Sequence, residues 1–137
     1  MPQYDLTEWQ DLPSKATPIN ADNLNKIEQC LKKLCHTAVT NVDPYQGGSG
    51  VIWRNGNVCQ MSVTLDKLRS GNSSFSIPAE FTPALDSFQA PIFSRSSGVY
   101  LGNASYSKNV NAVVPVSIDG NDVLEPAVFS ITYICED

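Results

Sequence analysis

From residue 24 onward the apolar positions recur at spacings of three, four, three and four: Leu24, Ile27, Leu31, Leu34 and Ala38. This is the a/d rhythm of a heptad repeat, and it predicts a helix of about 18 residues, roughly 27 Å long. Asn20 is a good N-cap, and Ile19 before it can pack onto Leu24. Asp22 falls in the first turn, where the helix dipole favours an acid. Asp22–Lys26 and Glu28–Lys32 make favourable i,i+4 pairs on the polar side. Asn41, Asp43 and Pro44 are expected to end the helix. A stripe of two positions in seven is narrower than a core-facing helix uses, which favours a helix–helix seam. The ordinary alternative is a helix lying on the core of its own domain. Roughly two and a half heptads make a marginal coiled coil alone, so an oligomer would draw support from the segment that follows.

The period then changes. Gln46-Gly47-Gly48-Ser49-Gly50 reads as a hinge and places a boundary between residues 1–45 and 46–137. Beyond it, 51–54 leads into Asn55-Gly56, a strong hairpin signal, and 58–65 returns with Cys59, Met61, Val63 and Leu65 alternating with polar residues. Further short apolar runs at 75–77, 88–93, 99–101, 110–118 and 128–135 are separated by Gly, Asn, Ser and Pro clusters. The expected fold is mainly β: an N-terminal arm and one coiled-coil-forming helix over 1–45, then an antiparallel β-sandwich or barrel head over 46–137, assembled as a trimer. Pro91 and Pro115, inside apolar runs, point to edge strands or bulges.

Ahead of the helix, Pro2, Pro13 and Pro18 alternate with Tyr4, Leu6, Trp9 and Leu12. This reads as an extended arm with Tyr4 and Trp9 as anchors on another protein, or as a segment that packs back on its own domain. The opening residues carry acids and no apolar core, unlike a signal peptide, so synthesis in a cytoplasm is expected.

Charge narrows the class of partner. The net charge of −5 lies wholly beyond residue 70, where Arg95 and Lys108 face seven acidic residues. A half that is acidic and has no basic stripe is unsuited to phosphates, which argues against nucleic acid and against anionic membranes. The four cysteines, Cys30, Cys35, Cys59 and Cys135, have no metal-type spacing and are expected as reduced thiols. His36, near the helix C-terminus, suits a capping or solvated role. Asp119, Asp122 and Glu125 surround a Gly-Asn turn, and turn formation accounts for Asp119 without calcium or catalysis. No catalytic, metal or cofactor residue is assigned, and an enzyme is not expected.

What remains for function is loop surface. The stretches 94–98 and 103–109 are rich in Ser, Asn and Tyr, residues that can stack on sugar rings and bond sugar hydroxyls. Arg95, Tyr100, Asn103, Tyr106 and Asn109 are therefore the candidate saccharide-binding residues, with ordinary surface turns as the alternative for each.

Trp9-Gln10-Asp11-Leu12-Pro13-Ser14, followed by Thr17-Pro18-Ile19-Asn20-Ala21-Asp22-Asn23-Leu24-Asn25-Lys26-Ile27-Glu28, resembles the N-terminal module of phage tail fibres, baseplate proteins and head fibres of Gram-positive hosts. The segments Ser49-Gly50-Val51-Ile52-Trp53-Arg54-Asn55-Gly56-Asn57-Val58 and Ser130-Ile131-Thr132-Tyr133-Ile134 are similar in style to the head domains of such fibres. The resemblance implies a homotrimeric virion protein, made in the host cytoplasm, that joins other virion proteins through its arm and binds host cell-wall saccharide through its heads. Leu24, Ile27, Leu31, Leu34 and Ala38 would then line the trimer interface. A head decoration or adaptor, without a receptor, is the structural alternative.

Overall fold

A computed structural model describes residues 21–45, 47–69 and 73–136. Tyr4 and Trp9, the expected attachment anchors, lie outside the described residues. Among the described residues one α-helix, α1 (Ala21–Leu34), precedes eight strands: β1 (Thr37–Val42), β2 (Gly48–Asn55), β3 (Val58–Leu65), β4 (Phe75–Ser76), β5 (Ser87–Ser94), β6 (Tyr100–Ser107), β7 (Ala112–Ser117) and β8 (Ala127–Ile134), with a single 3-10 turn at Ala79–Phe81. All pairings are antiparallel, in the order β1-β2-β3-β8-β5-β6-β7-β4. The two ends of this sheet approach one another, and the Tyr45 N–H donates to the Ser74 carbonyl at 3.1 Å, so the sheet is a nearly closed barrel.

The helix is shorter than its heptad rhythm suggests, and the residues beyond it correct two expectations. Thr37, Val39, Thr40 and Val42 are β-branched, stiff at χ1 and better suited to a pleated sheet than to a helix. They form β1, paired with β2 from Thr37↔Asn55 to Val42↔Gly50. Ala38, in phase with the heptad by coincidence, is therefore not on the helix. It sits half-buried against the barrel core with Thr40 and Val42 on the same face. The sheet also begins ahead of the expected boundary at 46, and Gly47 lies in the short connection between β1 and β2, with Gly48 already paired to Leu65 in β2.

Period-two alternation places the core. Ile52, Cys59, Met61, Val63, Leu65, Ala90, Ile92, Val113, Ala127, Phe129 and Tyr133 all point inward, and Leu68, Ile77 and Phe81 from the connections fill the barrel ends. Both prolines sit where a neighbouring ladder has lapsed. Pro91 pairs with Asn103, but β5 joins β8 only from Phe93 onward. Pro115 pairs with Ala104, but β7 meets β4 only at Ala112 and Val113. Neither ring removes a bond the sheet would otherwise make on that side.

The helix meets the barrel at the β2–β3 hairpin. Gly56 occupies its two-residue turn with φ +60°, and its N–H donates to the His36 carbonyl at 2.7 Å. A Cβ there would lie 3.0 Å from the Leu34 carbonyl oxygen, so glycine relieves both the left-handed turn and a tight contact.

Candidate functional site

Three surfaces bear on function. The first is the helix itself. None of its residues is buried; Leu24, Leu31 and Leu34 are 51%, 55% and 49% exposed. Ile27, Leu31 and Leu34 line a shallow groove of about 260 Å³ together with Cys30. The helix is well made locally, with Asp22 in its first turn and Lys32 and Lys33 in its last. Yet its apolar stripe rests on nothing among the described residues of its own barrel. The outer face of the neighbouring strands is also apolar: Val39 lies opposite Trp53, and Val58 opposite Ile134, all substantially exposed.

The second surface lies on β5 and β6. A bulge sets Ile92 opposite Gly102 and Phe93 opposite Tyr100, which leaves Leu101 as the extra residue. Leu101 and Gly102 both face inward, so Tyr100 and Asn103 both face outward. Gly102 is required here, because a Cβ would stand 2.0 Å from the Val116 carbonyl oxygen. Tyr100 and Phe93, each 40% exposed, meet edge to face with centroids 6.2 Å apart. Asn103 continues the patch in a row with Pro91 and Val116. Arg95 is exposed on the adjoining turn, which is firmly braced: its N–H donates to the Pro126 carbonyl, and the Ser94 hydroxyl donates to Glu125 Oε2, both at 2.8 Å.

The structure thus gathers Tyr100, Asn103 and Arg95 near one end of β6 and separates the other two candidates from them. Tyr106 is a correction: it is 2% exposed, stacks on Phe88 at 4.9 Å and belongs to the core. Asn109 is exposed on the β6–β7 turn, at the opposite end of a strand roughly 25 Å long. The residues 103–107, expected as loop, are strand. Phe93 joins this patch although it is not among the sequence candidates; its parity with inward Ile92 marks it as outward-facing.

The third surface is a cleft of about 320 Å³ at the helix–barrel junction, lined by Lys32, Lys33, His36, Arg54, Asn57 and Glu80. Arg54 spans three segments: Nε donates to the Gly56 carbonyl at 2.8 Å, Nη2 to the Glu136 carbonyl at 3.0 Å, and Nη1 to the Glu80 carbonyl. His36 Nε2 lies 2.6 Å from Glu80 Oε1. With its guanidinium committed to three backbone carbonyls, Arg54 holds the hairpin, the 79–81 turn and the chain end together.

The titratable groups otherwise serve structure. Asp119 accepts from the N–H of Asn121 at 3.0 Å, from the Asn121 side chain and from the Ser117 hydroxyl, and these bonds hold its carboxyl below the usual range. Burial beside Cys135 pushes the Cys59 thiol up to about 12, and the Tyr133 hydroxyl donates to the Phe81 carbonyl at 3.0 Å. Among the described residues no cluster of three metal-ligating side chains occurs, and no helix is long and apolar enough to cross a membrane.

No protein-family model matches the chain, and no curated protein is similar to it at a significant level.

Proposed function

We propose that this chain is the tip component of a phage fibre or baseplate, a homotrimer that binds host cell-wall saccharide through its β-barrel heads. The observation that carries the reading is the helix whose Leu24, Leu31 and Leu34 stripe stays about half exposed, without cover from the described residues of its own barrel. Such a stripe asks for copies of itself, and the outward Val39, Trp53, Val58 and Ile134 extend the apolar surface from the helix junction onto the sheet. The arm resemblance supports attachment to other virion proteins. Tyr100, Phe93 and Asn103 supply aromatic faces and an amide of the kind that sugars meet, and three heads would raise a weak single-site affinity by avidity. A binding role fits the acids better than a catalytic one: Asp119 and Glu125 are engaged in turn hydrogen bonds.

Light scattering on the full chain tests the assembly, with three chains per particle expected. Binding to Gram-positive cells or their purified wall polysaccharide tests the head. A trimer that binds no such surface, but whose incorporation into particles depends on the arm, would replace this reading with that of a decoration or adaptor.

A further inference from the structure

The phase of the helical stripe determines where two thiols stand. With Leu24 and Leu31 at a positions and Ile27 and Leu34 at d, Cys30 falls at g and Cys35 at e of the next heptad. Within one chain the two are about 140° apart around the axis and flank the stripe on opposite sides, so they cannot meet. Between chains the relation reverses. In a parallel, in-register coiled coil, a g residue faces the e residue five positions further along its neighbour. For Cys30 that residue is Cys35.

The local structure suits this pairing. Cys30 is half-buried in the groove with Ile27, Leu31 and Leu34, and Cys35 is exposed. The Cys35 N–H still donates to the Leu31 carbonyl at 2.9 Å, which keeps it in helical phase. Leu34 ends the helix and Thr37 starts β1, so Cys35 stands at the helix end, one turn beyond Cys30, and the pairing requires a Cα separation of about 4.4–6.8 Å between neighbouring copies. The other two cysteines offer no competition: Cys59 and Cys135 are buried inside the barrel.

We propose that Cys30 of each copy and Cys35 of the adjacent copy form an interchain thiol pair that oxidises to a disulfide, locking the assembly covalently around its helices. This rests on the self-assembly reading above. In a reducing cytosol the pair stays as thiols; outside the cell a small-molecule disulfide can oxidise it. One thiolate attacks the reagent and releases its first half as a thiol. The second thiolate then displaces the other half from the mixed disulfide. Two protein thiols are thereby oxidised to one disulfide, and the reagent is reduced to two thiols that take up the two protons.

The test uses the full chain and oxidised glutathione. Mass is first measured under reducing conditions by light scattering, and the oxidised sample is then run on a denaturing, non-reducing gel. The expected result is a three-chain covalent species that dithiothreitol dissolves, with a Cys30–Cys35 cross-linked peptide joining isotopically light and heavy chains. Cys30→Ser and Cys35→Ser should each retain the assembled mass and give no covalent species. An assembled protein that yields no link, or yields Cys30–Cys30 and Cys35–Cys35 links as an antiparallel arrangement would, overturns the inference and leaves self-assembly standing. A monomer under reducing conditions removes self-assembly, and the inference with it.

Discussion

The helix and the barrel obey the same burial rule and end in opposite states. In the barrel, inward positions such as Ile52, Met61, Leu65 and Ile92 are fully buried by intrachain contacts. In the helix, an equally regular apolar stripe stays half exposed. The difference teaches that the two regions are stabilised by different things. The barrel carries its own hydrophobic core, so its stability is a property of one chain. Among the described residues the helix stripe is left half exposed, and on the trimer reading the helix's stability depends on concentration.

The largest expected effect lies in the barrel. Phe129 is buried on β8 and stacks on Phe75 with ring centroids 6.3 Å apart. Phe129→Ala should cost about 3–5 kcal/mol of unfolding free energy, read as a lower urea midpoint. Leu31→Asp should do the reverse: particle mass falls from three chains to one, while the barrel's midpoint moves by no more than about 0.5 kcal/mol. If Leu31→Asp unfolds the barrel instead, the two regions are one cooperative unit and are not stabilised separately.

The same contrast can be drawn within a single strand. Tyr100→Ala, on the outer face, should weaken saccharide binding roughly fivefold, about 1 kcal/mol, and leave the urea midpoint nearly unchanged. Tyr106→Ala, six residues on but in the core, should cost about 3 kcal/mol of stability and affect binding only through folding. Equal loss of binding in both, at matched fractions folded, would place the sugar elsewhere.

Much of this was legible in advance. The return strand β3 and the closing strand β8 announce themselves by alternation, and the other short apolar runs by the turns between them, because a half-buried strand must show period two; most of β6 does not stand out in this way. β1 was hidden by Ala38, a small residue that fits a helical stripe and a strand equally well. The β-branched Thr37, Val39, Thr40 and Val42 were the better signal. The Ser and Asn residues around Tyr106 suggest a loop, yet Ala104 and Tyr106 alternate with them as strand residues do. The patch at Phe93 and Tyr100 depends on a bulge, and a one-residue slip of register leaves no mark in composition. The order that sets β8 between β3 and β5 arises from contacts distant in sequence that local pattern does not encode.

The smallest expected effect separates the regions by pH. Asp119 closes the turn after β7 by accepting three hydrogen bonds, and its folded carboxyl titrates below its ordinary value of 3.8. A lowered folded pKa means that the unfolded chain binds the proton more readily. The stabilisation is therefore fully present above pH 3.8 and is lost as pH falls through the lower folded value. Asp119→Ala should lower the barrel's urea midpoint slightly at pH 6, and that gap should close as the medium is acidified below pH 3.8. The residue is remote from α1 in the chain and bonds only within its own turn, so the substitution should leave particle mass unchanged at pH 6. A constant gap across the titration would assign the effect to turn geometry instead of to the ionised carboxylate.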